Sequence, residues 1–127
     1  MRRMASLGAL MVLVLAAGCG GPKLVPVRGR VVYADGRPVT AASVSFTPDA
    51  TPEGNGLLAT GLLAEDGSFT LRTYPHGDGA MVGSYRVTVS LGFGATRKLV
   101  KYTRLKDTPL KIDVPPEGRT DLVLTLQ

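Results

Sequence analysis

From Val25 to the C terminus, apolar and polar residues alternate with a period of two, and turn residues interrupt the alternation at short intervals. That pattern constrains the fold most, because a strand sends successive side chains to opposite faces and a helix repeats every 3.6 residues. Val25, Val27, Gly29, Val31 and Tyr33 share one face, with Arg28 and Arg30 opposite. Strands are expected at 42–47 (Val44 and Phe46 inward), 57–64, 68–73 (Phe69 and Leu71 inward) and 84–91 (Tyr85, Val87, Val89 and Leu91 aligned). Further strands are expected at 98–105, 110–114 and 120–126, the last aligning Leu122, Leu124 and Leu126. Leu57–Ala64 is apolar on both faces and is expected to be a more buried strand. Asp35-Gly36, Asp66-Gly67 and Pro115–Gly118 supply turn chemistry, and 47–56 and 74–83 are expected to be loops. The pattern predicts an all-β chain of seven or eight short strands in two packed layers.

The N-terminal residues follow another logic. Arg2 and Arg3 precede an apolar stretch, Leu7–Ala17, and then Gly18-Cys19. Those 11 residues would reach only about 17 Å as a helix, well short of a hydrocarbon core of roughly 30 Å. A charged start, a short apolar centre and small residues form an export signal. Leu15-Ala16-Ala17-Gly18-Cys19 resembles the lipobox of bacterial lipoproteins at every position. The resemblance implies cleavage between Gly18 and Cys19 and a lipid on the Cys19 sulfur. The parts expected are a lipoprotein signal peptide (1–18), a lipidated Cys and short tether (19–24) and a β-sandwich domain (25–127). Gly20 follows the lipidated position instead of the Asp that holds some lipoproteins at the inner membrane, so the outer membrane is permitted. The expected location is the bacterial cell envelope, anchored to a membrane by lipid.

Composition closes several other routes. The 127-residue chain has one Cys and one His, which excludes an internal disulfide, a thiolate zinc cluster and a three-histidine metal site. Loss of 1–18 removes Arg2 and Arg3 and lowers the net charge from +5 to +3, a weak basis for nucleic-acid binding. Nucleic acid is not expected as a partner, and no cofactor is expected.

Four segments, taken in order, resemble carboxypeptidase regulatory-like domains. Val27-Arg-Gly-Arg-Val-Val-Tyr-Ala-Asp-Gly-Arg-Pro-Val39 is similar to their opening hairpin, and Ala42-Ser-Val-Ser-Phe-Thr-Pro48 to their next strand. Ala64-Glu-Asp-Gly-Ser-Phe-Thr-Leu71 resembles their D-G-x-F turn, and Gly83-Ser-Tyr-Arg-Val-Thr-Val89 their G-x-Y-x-V-x-V strand. Lys101-Tyr102 and Thr108-Pro109-Leu110 resemble features of small single-domain bacterial lipoproteins of this type. A Pro common before the Gly of the Tyr strand is Val82 here. The resemblance implies a transthyretin-like, Greek-key β-sandwich. The hydroxyisourate hydrolases of similar architecture use several His and a C-terminal Tyr-Arg-Gly-Ser, which this chain lacks.

Few residues are candidates for chemistry. His76 and Asp78 could form a base or part of a metal site, but a polar loop accounts for them more simply. Asp35, Glu65 and Asp66 could hold calcium if their loops converged, yet turn chemistry already explains them. Arg97, Lys98, Lys101, Arg104 and Lys106 make the best candidate contact surface, suited to an anionic polymer, lipid head groups or an acidic protein. The preferred competing reading is an edge strand whose charges prevent aggregation. Lys23, Arg28 and Arg30 could face anionic head groups beside a short tether, but three charges are few and an ordinary solvated strand face is the preferred explanation. The function expected is non-enzymatic: a lipid-anchored envelope lipoprotein with a structural or protein-binding role. The alternative is a glycan or small-molecule binding module using loops 47–56 and 74–83.

Overall fold

A computed structural model describes residues 23–49, 56–91 and 97–127. The strands are β1 (Val27–Tyr33), β2 (Ser43–Pro48), β3 (Ala59–Leu62), β4 (Ser68–Thr70), β5 (Arg72–Thr73), β6 (Gly77–Asp78), β7 (Gly83–Ser90), β8 (Lys111–Val114) and β9 (Arg119–Leu126). One 3-10 helix, Arg97–Thr103, lies between β7 and β8. The described residues are mostly β, with a three-stranded sheet ordered β4-β1-β9 and a six-stranded sheet ordered β6-β5-β3-β2-β7-β8. β1 and β9 pair in parallel, with Val27 beside Arg119 and Tyr33 beside Leu126. The other pairings are antiparallel.

The alternation read from the sequence builds the core. Val27, Val31, Val44, Phe46, Leu71, Val87 and Val89 are fully buried, and Leu122, Leu124 and Leu126 close the layer from β9. Phe46 lies at the centre of the aromatic packing, 6.2 Å from Phe69 and 5.8 Å from Tyr85 between ring centroids. Such tilted pairs add a favourable electrostatic contact to area burial.

Four expectations need correction. The run 98–105 is not a strand: Arg97–Thr103 forms the 3-10 helix, with Leu99 and Tyr102 turned inward. The run 57–64 is not buried on both faces. Ala59, Gly61 and Leu63 are buried, but Leu62 is 81% exposed, because two layers leave each sheet one face in water. The run 68–73 is two strands in different sheets. The chain passes from β4 to β5 at Leu71, which is fully buried between them. The 74–83 segment folds partly into β6, paired with β5 after a turn through a cis Tyr74–Pro75 bond.

Candidate functional site

Gly18 and Cys19, with the signal peptide and most of the tether, lie outside the described residues. The fold takes hold of the chain soon after them. Val25 exchanges two backbone hydrogen bonds with Ala80, both 2.9 Å, and Lys23 just before it is exposed. Cys19 is therefore six residues from the first fixed point of the fold.

The basic run 97–106 stands on the 3-10 helix and the turn after it. Arg97, Lys98, Lys101, Arg104 and Lys106 are all exposed. A 3-10 helix has three residues per turn, so residues three apart lie in line. Leu99 and Tyr102 take the inward line, and Lys98 and Lys101 share an outward one. Tyr102, 3% exposed, fixes the helix to the C terminus: the Gln127 N–H donates to its hydroxyl at 2.9 Å, and that hydroxyl donates to the Gln127 carbonyl at 3.3 Å. The Thr103 hydroxyl donates to the Val100 carbonyl at 2.7 Å. Arg104 lies 3.9 Å from Asp107, an exposed pair of little energetic weight. The edge-strand explanation of these charges falls with the strand.

Arg28 and Arg30 are exposed, as expected, on the outer face of β1. The structure adds a feature that no sequence pattern announced. Where β4 meets β3, the outer faces of the two sheets form an open groove of about 1130 Å³. Arg28, Arg30 and Arg72 line it together with Asp78, Leu62 and Val123. Among the described residues, none of these three arginines has a carboxylate within 4.0 Å. Gly61 permits the junction: a β-carbon there would stand 2.9 Å from the Thr70 carbonyl oxygen. Strand pairing across sheets is long-range, so alternation shows that these side chains face outward but no local pattern groups them.

The remaining candidates separate. His76 is exposed at the β5–β6 turn, where its backbone N–H donates to Thr73 at 2.7 Å, and it does not line the groove that Asp78 enters. Among the described residues no three His, Cys, Asp or Glu side chains come together. Asp35 and Asp66 serve the turns in which they stand. The Arg37 backbone N–H (3.0 Å) and Nε (2.7 Å) donate to Asp35. The Ser68 N–H (3.0 Å) and hydroxyl (2.6 Å) donate to Asp66. These hydrogen bonds, led by the Arg37 backbone amide at Asp35 and the Ser68 hydroxyl at Asp66, lower both carboxyls below their ordinary value. Glu65 is exposed beside Asp66. Of the loop expected at 47–56, residues 50–55 lie outside the described residues.

No protein-family model matches the chain, and no curated protein or solved structure matches it significantly.

Proposed function

We propose that the chain is a non-enzymatic lipoprotein of the bacterial cell envelope, whose β module has a structural or protein-binding role. The reading joins the Leu15–Cys19 motif to a small two-sheet domain. Its carrying observation is the short distance in sequence between Cys19 and the Val25–Ala80 bridge. Five extended residues span at most about 16–18 Å, so a lipid on Cys19 would hold the domain against its membrane. One acyl chain binds membranes only marginally, whereas several on one residue anchor stably.

The fold reading goes one step finer than two sheets. The order of the matched segments supports a transthyretin-like, Greek-key sandwich of the carboxypeptidase regulatory-like kind. In such domains the matched residues are turn formers and core residues, which inform about fold and little about activity. The second reading, a glycan or small-molecule binding module, gains support from the groove: it combines unpaired guanidiniums with the exposed Leu62 and Val123.

The test of the first reading is a pull-down of the detergent-solubilised full chain from its native membranes. Recovery of one stoichiometric envelope protein is the expected outcome. Recovery of none, together with saturable binding in a panel of small glycans that is lost in Arg28→Ala/Arg72→Ala, favours the second.

A further inference from the structure

We infer that the 3-10 helix presents a row of cations at the pole of the domain opposite the tether, and that this row binds a linear anionic polysaccharide. The inference rests on the anchored-envelope reading for its orientation, and departs from the protein-binding half of that reading.

The orientation follows from strand direction. Lys23 and Val25 enter at the start of β1, and Tyr33 marks its other end. β9 runs parallel to β1 and brings Leu126 beside Tyr33. Gln127 therefore lies at the far end, about 20 Å along the strands from Val27 at roughly 3.3 Å per residue. Tyr102 ties the 3-10 helix to Gln127 through two hydrogen bonds. The basic helix and the tether thus occupy opposite poles. A domain held at Cys19 turns Lys98 and Lys101 away from its own membrane, so head groups of that membrane are not their partner.

The shape of the partner follows from the helix. With three residues per turn and about 2.0 Å rise per residue, the backbones of Lys98 and Lys101 stand in line about 6 Å apart. The Lys101 ammonium lies 5.2 Å from the Tyr102 ring centroid, and Arg104 follows just beyond the helix, beside Asp107. The row is exposed, and Asp107 beside Arg104 is the one acid between residues 97 and 112. Exposed cations gathered along one short stretch suit a chain with one negative charge per repeat. An acidic protein is a poorer match. Protein interfaces centre on buried aromatic and apolar side chains and are depleted in Lys. Here the aromatic ring, Tyr102, is already buried inside the domain.

The test uses the full lipidated chain, with fluorescent alginate, a linear polyuronate, as probe and neutral dextran as control. Binding is measured in detergent, and again with the protein on vesicles of phosphatidylcholine alone or mixed with phosphatidylglycerol. The account expects alginate binding that weakens as salt rises, no dextran binding, and equal capture on both vesicle types. Lys98→Glu/Lys101→Glu should weaken binding roughly tenfold or more. Lys23→Glu/Arg119→Glu, the same change in net charge at the other pole, should leave it unchanged. Equal loss in both variants would show a net-charge effect and overturn the site. Capture on neutral vesicles that disappears on anionic ones would overturn the orientation, since the row would then be occupied by head groups. Loss of a co-purifying acidic protein in Lys98→Glu/Lys101→Glu, without alginate binding by the wild type, would overturn the partner class. Failure of the chain to partition onto vesicles would count against the anchor, while the detergent measurement still decides the row. Lys98→Gln/Lys101→Gln serves if the reversed charges lower the melting temperature.

Discussion

Tyr85 shows how one residue meets two opposing demands. Its ring is 2% exposed and packs on Phe46, yet its hydroxyl must not be buried without a partner. The hydroxyl donates to the Met81 carbonyl at 2.6 Å. Burial pushes its pKa above the ordinary 10.0. A phenol whose folded pKa is raised lends stability that is complete below its unfolded pKa and is lost as pH rises through the folded value. Tyr85→Phe should cost about 1 kcal/mol at neutral pH. Above about pH 10 its melting temperature should fall less steeply than that of the wild type. Parallel melting curves across that range would contradict the account. Thr73 and Thr108 obey the same rule: both are buried, and their hydroxyls donate to the Gly79 and Val87 carbonyls at 2.9 and 2.6 Å. Alternation placed Phe69 and Leu71 inward, and it places Thr73 there too; its polarity conceals this until Gly79 is known to lie beside it.

At the scale of elements, the turns were the most legible part of the chain. Asp35-Gly36 and Asp66-Gly67 are turns in the structure, with φ of +90° and +81° at the two glycines. The two sites differ in surroundings. A β-carbon on Gly36 meets nothing within 4 Å, whereas one on Gly67 would stand 2.6 Å from the Val31 carbonyl oxygen. Gly36→Ala should therefore lose only the cost of a left-handed conformation, about 1–2 kcal/mol. Gly67→Ala should lose clearly more in chemical denaturation, because backbone must also move. Equal losses would show that the Val31 contact is unimportant. The 3-10 helix was the least legible element. Leu99, Tyr102 and Leu105 repeat every three residues, which matches neither the strand period of two nor the α-helical period of 3.6. The split of 68–73 was hidden for another reason: alternation continues unbroken through Leu71 while the chain changes sheets. Exposure of Leu62 was equally hidden, since residue types alone do not tell how many layers cover a strand.

For the whole molecule, local patterns fixed the strand faces but not their partners. The parallel β1–β9 pairing joins residues about ninety positions apart, and that pairing sets Val25 and the basic helix toward opposite ends of the strands. The groove is likewise a product of topology: Arg28, Arg30 and Arg72 share no motif and meet where the sheets adjoin. The picture we propose is a polar object with a lipid at one end, a cationic row at the other and an open groove along its flank. The anchored end of that picture depends on Cys19. Intact-mass measurement of the protein extracted from its native membranes tests that dependence most directly, with Cys19→Ser alongside. The account predicts a wild-type chain that begins at Cys19 and carries the mass of a thioether-linked diacylglyceryl group, and a variant that keeps residues 1–18 and gains no lipid. A wild-type protein with an unmodified Cys19 sulfur would contradict it.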